Sequence, residues 1–130
     1  MNKTGENPFS SLNRIFHEPS RLSIMSALCG SERGMAFNEL KSQCDLTDGN
    51  LSRHLKTLEE AKAVKIKKAF SGARPKTTVR ITDLGREGFV EYLKTLEDVL
   101  HRAAEAVAVE ERKPSLVDLL DGSFGVEGKA

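Results

Sequence analysis

The apolar positions of this chain recur at helical spacing over most of its length and change to short β-like runs only near the middle. Asn7 and Pro8, a capping residue followed by proline, predict a short helix with Phe9, Leu12, Ile15 and Phe16 as its apolar stripe. Pro19 starts a second helix, with Leu22, Met25, Leu28 and Cys29 inward and Gly30 as its stop. Residues 31–34 read as a turn, and Met35 to Phe37 as a short strand. Asn38 is the expected cap of a third helix that carries Leu40 and Cys44 at i, i+4. Asp45 and Leu46 make the next turn, with Leu46 plugging the angle between helices. Thr47 then caps a helix running to about Ala63, with Leu51, Leu55 and Leu58 on one side.

Two β-like runs follow, Val64 to Phe70 and Thr77 to Thr82, joined by a tip of Gly72, Ala73, Arg74, Pro75 and Lys76. Thr82 caps a final long helix that ends before Pro114. Along it Phe89, Leu93, Leu96, Leu100, Ala103 and Val107 form a heptad seam flanked by Tyr92, Val99 and Ala106. Some thirty helical residues extend roughly 45 Å, more than a domain of this size covers. The surplus apolar face predicts a homodimer, with Phe89, Tyr92, Leu93, Leu96, Val99, Leu100, Ala103 and Val107 at the interface. The competing reading packs this helix lengthwise on its own domain and on the Phe9–Phe16 helix. After Leu116, Val117, Leu119 and Leu120 the tail thins into glycines at 122, 125 and 128 and is expected to fray.

The fold class that results is mainly α with a small β-hairpin wing, a winged helix-turn-helix with a long C-terminal helix. Its expected parts are an N-terminal arm and short helix (1–18), a DNA-binding core (19–82), a dimerisation helix (83–113) and a short helix with a flexible tail (114–130). At 130 residues the chain is long enough for one core without disulfide or metal. Its net charge of +1 conceals a strong asymmetry. Residues 51–80 hold nine Lys and Arg against two acids, whereas residues 81–130 hold six basic and eleven acidic side chains. A cationic middle is the footprint of a polyanion binder, although charge alone equally describes a solvated surface. It gains meaning beside a helix-turn-helix pattern.

The polar side of the 47–63 helix carries the candidate chemistry. Asn50 and Arg53 are the base-reading candidates, because an amide matches adenine and a guanidinium matches guanine in bidentate fashion. Ser52 and Thr57 donate to phosphate or to a base, and Lys56 supplies a phosphate charge. Thr47 is foremost a cap, with a hydroxyl shared at most with phosphate. His54 has two readings, a DNA contact and a packed side chain. Gly49, which costs about 1 kcal/mol against alanine inside a helix, implies close approach to DNA or to the preceding helix. On the wing, Arg74 suits a narrow minor groove, and Lys65, Lys67, Lys68 and Lys76 suit phosphates.

This ordered set resembles the MarR and ArsR superfamily of winged-helix transcriptional regulators, most closely a small MarR-like subgroup. The resemblance covers roughly residues 15 to 100 and is carried by several segments. They are Glu18 to Leu22, Phe37 to Leu40, Leu46 to Leu55, Leu58 to Ala61, Ser71 to Thr77 and Ile81 to Arg86. It implies homodimers that bind double-stranded operator DNA through the third core helix and the wing, with the long helices in contact. Metal-sensing ArsR proteins carry a Cys-x-Cys near the reading unit. Here Ser42 stands two residues before Cys44, so metal or redox sensing is not expected.

Other classes fare worse. Cys29 and Cys44 sit among apolar neighbours and read as free thiols rather than as a disulfide or metal pair. No glycine-rich phosphate loop, metal-ligand spacing or nucleophile–base pair is present, and His17, His54 and His101 fall on separate elements. Neither an enzyme nor a cofactor is expected. No run has the length of a membrane span and no leader pattern is seen, which predicts a cytoplasmic protein. An unknown small-molecule effector fits the pattern, but no polar cluster marks its pocket. The alternative from another class is a winged helix used as a protein-interaction module for an acidic partner.

Overall fold

The computed structural model describes residues 9–111. In chain order these form α1 (Ser10–Phe16), α2 (Pro19–Cys29), β1 (Met35–Ala36), α3 (Phe37–Cys44), α4 (Asp48–Glu60), β2 (Val64–Ser71), β3 (Arg74–Ile81) and α5 (Asp83–Glu111). Mainly α with a small antiparallel sheet is therefore the observed class. Asn7, Pro8 and the tail from Arg112 lie outside the described residues. The chain divides after Tyr92 into two compact units, and the stretch of α5 from Leu93 is described by itself.

Several helix limits follow from single side chains. The Glu18 carboxylate accepts the Arg21 amide at 2.8 Å, and Pro19 holds the first turn of α2 without needing an amide of its own. Thr47 Oγ1 accepts the Asn50 amide at 3.1 Å and starts α4 where the sequence predicts. Asn38 does not cap α3. The extended residue before the helix is Ala36, and the chain passes from β1 into α3 with no linker to hold a cap. Both α3 and α4 end on a left-handed residue other than glycine. Asp45 (φ 56°) and Lys62 (φ 64°) occupy those positions. The amides after them reach back five residues, Leu46 to Lys41 and Ala63 to Leu58, which satisfies the last carbonyls. Hence α4 stops at Glu60 rather than near Ala63.

The sheet order is β1-β3-β2, all antiparallel. Pairing of β2 with β3 runs from Val64↔Ile81 to Ser71↔Arg74, so only Gly72 and Ala73 remain for the turn. Gly72 takes φ +69°, which glycine adopts without strain. The tip is thus shorter than the sequence suggests, and Arg74, Pro75 and Lys76 belong to β3. Pro75 falls beyond the stretch that β1 pairs, so its missing amide interrupts nothing on that side.

The core of the first unit joins Phe16, Ile24, Met25, Leu28, Leu40, Leu51, Leu58, Val64 and Val79. It continues into the start of α5. Phe16 meets Phe89 edge-on at 5.3 Å and Tyr92 at 6.0 Å, and the Tyr92 hydroxyl lies 2.8 Å from His17 Nδ1. Burial raises the Tyr92 pKa. Phe89 and Tyr92 are expected at a dimer interface from their place along the heptad seam. Both are buried against α1, whose short apolar stripe needs a cover within its own protomer.

Two glycines make close packing on α5 feasible. A Cβ on Gly85 would overlap the Ala63 carbonyl oxygen, and one on Gly88 would stand 2.7 Å from Leu12 Cδ1. Thr82 closes the same corner. Its Oγ1 accepts the Gly85 amide at 2.8 Å and directs its proton to the carbonyls of Lys62 (2.7 Å) and Ala63 (3.1 Å). Alanine normally strengthens a helix interior, but Gly85→Ala is expected to destabilise by about 1–3 kcal/mol because backbone must shift. A melt as stable as wild type would mean that this corner is looser than described.

Candidate nucleic-acid interface

On α4 the buried side is Leu51, Leu55 and Leu58, and Ser52, Arg53 and Lys56 are exposed. Thr47 is exposed at the cap, and Asn50 and Thr57 are half-buried. Arg53 donates from Nη2 to Asn50 Oδ1 at 2.8 Å. This bond changes how the pair can act. The Asn50 oxygen keeps a second lone pair and its amide both donors, while the guanidinium is held in place with its other donors free. Thr57 Oγ1 donates back to the Arg53 carbonyl at 3.3 Å. Its hydroxyl is then left to accept.

His54 does not share that surface, and its packed reading fits this placement. Its side chain is only 12% exposed and faces the start of α2. There Arg21 Nη1 lies 3.2 Å from His54 Nδ1, and Glu18 Oε1 lies 4.0 Å away. Since guanidinium only donates, a hydrogen bond between the two has Nδ1 as its acceptor. Arg21 Nε also donates to the Ile15 carbonyl at 2.7 Å. Arg21 was missed in the sequence because His54 is distant in the chain, and no local spacing marks that contact.

Gly49 is exposed, and a Cβ there would meet nothing within 4 Å. Packing against the preceding helix therefore does not account for it. Across the turn, Lys41 and Asp48 pair at 2.7 Å on the surface. Such a pair is worth at most about 1 kcal/mol.

The register sorts the wing cations by face. Lys65 and Lys67 project from one side together with Arg80, Lys76 and Arg74 of the facing strand. Lys65 stands directly opposite Arg80, a like-charge pairing that disfavours the hairpin by itself. Among the described residues no acidic side chain pairs with these cations. Lys68 is on the other side with Val64 and Ile66. It borders a crevice of about 370 Å³ between α4 and the wing, floored by Phe37, Leu55 and Ile66 and edged by Ser52, Lys56, Glu59 and Thr77. The predicted DNA-contacting residues thus divide into an α4 group that includes Lys68 and a second group on the outer sheet face.

Cys29 and Cys44 are unbonded and half-buried. Burial raises both thiol pKa values, opposed by the Arg86 charge at Cys29 and by a Ser23 hydrogen bond at Cys44. Among the described residues no His, Cys, Asp and Glu cluster could hold a metal, and no helix is long and apolar enough to cross a membrane.

A helix-turn-helix with an exposed polar helix and an unneutralised basic hairpin has a counterpart among known sequences. The profile of the winged helix DNA-binding domain family matches residues 20–100. The chain belongs to that family. An uncharacterised protein of Methanocaldococcus jannaschii is 44% identical over 80 residues, 62% of this chain and 86% of the relative. A transcriptional regulator homologue from Pyrococcus horikoshii OT3 superposes with a TM-score of 0.65 at 32% identity, covering 75% of this chain and 98% of that one. A MarR-family regulator from Enterococcus faecalis V583 shares the fold with a TM-score of 0.58 at 19% identity, covering 86% and 99%. The family is one of winged-helix DNA-binding domains, and the MarR-family neighbour shares the fold.

Proposed function

We propose that this winged-helix regulator acts as a cytoplasmic homodimer on a roughly palindromic duplex site, with α4 in the major groove and the wing on the minor groove and backbone. The observation that carries the reading is the exposed Ser52–Arg53–Lys56 surface beside a hairpin whose cations pair with no acidic side chain among the described residues. In it residues 19–82 form the DNA-binding core, residues 83–113 the dimerisation helix, and the segments before and after are accessory. Arg53 reads a base, Asn50 orients it, and Ser52 and Lys56 with the Thr47 and Thr57 hydroxyls hold the backbone. Lys65, Lys67, Lys68 and Lys76 serve phosphates, and Arg74 serves the minor groove. A small-molecule effector is a further class of partner, without an assigned site.

Selection of bound sequences from random duplexes tests specificity and half-site spacing together. On the selected site Arg53→Ala is expected to cost about 1–3 kcal/mol and to relax preference at one base position. Lys76→Ala should weaken selected and scrambled duplexes alike. It should also lower the salt slope by about one unit for each phosphate that a subunit no longer neutralises. A wild-type protein that binds neither duplex at low salt would transfer the basic surface to an acidic protein partner.

A further inference from the structure

Phe70 has no part in the contacts proposed above. It is 73% exposed, the most exposed of the large apolar side chains described. It stands near the end of β2, directly opposite Pro75 on β3, and cross-strand partners project to the same side. Alternation along β2 places Val64, Ile66, Lys68 and Phe70 on one face. Val64 is buried in the core, and Ile66 and Lys68 border the crevice shared with Ser52, Leu55 and Lys56 of α4. Phe70 and Pro75 therefore form an apolar patch on the α4-facing side of the hairpin, one side-chain step beyond Lys68 toward the tip.

A single exposed apolar residue is ordinary on a protein surface. This one lies on the sheet's edge strand, where an exposed phenyl ring invites unwanted pairing. On its own face of the hairpin its neighbours are Lys68, Thr77 and Pro75, so Pro75 is its apolar partner there, while Lys67, Arg74 and Lys76 project from the opposite face. Apolar surface beside Lys68, on a hairpin whose other face is cationic, complements the minor groove, whose walls offer deoxyribose carbons between phosphates. Apolar side chains also enter that groove as wedges beside a base step.

We infer that Phe70, backed by Pro75, is a DNA-binding residue that packs against the minor-groove wall when α4 and the wing hold a duplex. The inference rests on the DNA-binding reading and adds an apolar contact to its cationic ones. Lys68, on the same face, holds the neighbouring phosphate, and the ring excludes water from the adjacent sugars. Its contribution is insensitive to salt, because it displaces no counterion.

Mixed-sequence duplex DNA is the probe, with binding followed by anisotropy of the labelled duplex at several salt concentrations. Phe70→Ala is expected to weaken binding about ten-fold, corresponding to partial loss of one buried aromatic side chain. The slope of log affinity against log salt should stay at the wild-type value, whereas Lys68→Ala should lower it. The chain contains no tryptophan, so Phe70→Trp introduces a reporter at this position alone, and its emission should be quenched and blue-shifted as duplex is added. Affinity of Phe70→Ala within about two-fold of wild type, below the effect of burying an aromatic ring, would overturn the inference. So would a reduced salt slope in that variant, or unchanged tryptophan emission while anisotropy reports binding. A changed sedimentation coefficient of DNA-free Phe70→Ala would assign the ring to a protein contact instead. If the wild-type protein binds no duplex at low salt, the DNA-binding reading fails first and this contact with it, a result seen before any substitution is made.

Discussion

Truncating Leu55 to alanine is expected to cost about 2–5 kcal/mol of folding stability, read from thermal or denaturant melts. Leu55 is 2% exposed and lies on the inward side of α4 between Leu51 and Leu58, which are fully buried. The truncation removes methyl groups from a packed site and leaves a cavity that helix and sheet close only in part. Leu55 is also part of the floor that α4 and the wing share with Phe37 and Ile66. Its removal should therefore loosen the angle between reading helix and hairpin, and DNA affinity should fall beyond what the unfolded fraction explains. A loss under about half a kcal/mol, the size of an ordinary surface substitution, would mean that α4 is rotated about its axis. Ser52, Arg53 and Lys56 would then not be its exposed residues.

Helix starts were the most legible feature of the sequence, because a start depends on one side chain and its near neighbours. Thr47 and Thr82 both bond the amide three residues ahead, at the positions their spacing implies. Helix ends were less legible. The turn at Asp45 was read, but Lys62 adopts the left-handed conformation usually reserved for glycine, so nothing in the local sequence marks the end of α4. Hairpin register was legible in outline only, since alternation locates the strands but not how far toward Gly72 they stay paired. What the sequence could not supply was the partner of each apolar or polar side chain across long separations. Heptad spacing groups Phe89 and Tyr92 with Leu93 and Leu96, yet the first two are buried against Phe16, far earlier in the chain. Likewise His54 reads as one of several polar residues on α4, and only its proximity to Arg21 and Glu18 turns it inward. Gly85 and Gly88 were silent for the same reason, because the atoms a Cβ would strike belong to Ala63 and Leu12.

Aspartate at both Leu96 and Leu100 is expected to convert a dimer into monomers, as measured by sedimentation. Beyond Tyr92, α5 presents Leu93, Val99, Leu100 and Val107 at 41%, 49%, 37% and 39% exposure, with Ala103 exposed and Leu96 half-buried among them. These positions recur at heptad spacing on a helix of 29 residues, the pattern by which two such helices bury a common seam. Carboxylates introduced at its centre would be desolvated without a partner, and one unpaired buried charge outweighs several apolar contacts. Affinity for a two-half-site duplex should fall by a factor on the order of a hundred to ten thousand, because the second half-site is no longer bound at high effective concentration. Affinity for a single half-site should barely change. At Phe89 the opposite pattern is expected: Phe89→Ala lowers the melting temperature through the α1–α5 core and acts on dimerisation only through that destabilisation. A double aspartate variant that still sediments as a dimer, or a wild-type protein that is monomeric, would remove the seam beyond Tyr92 from any role in assembly. The palindromic site would go with it, since two-fold symmetry in the DNA is useful only to a protein that shares it.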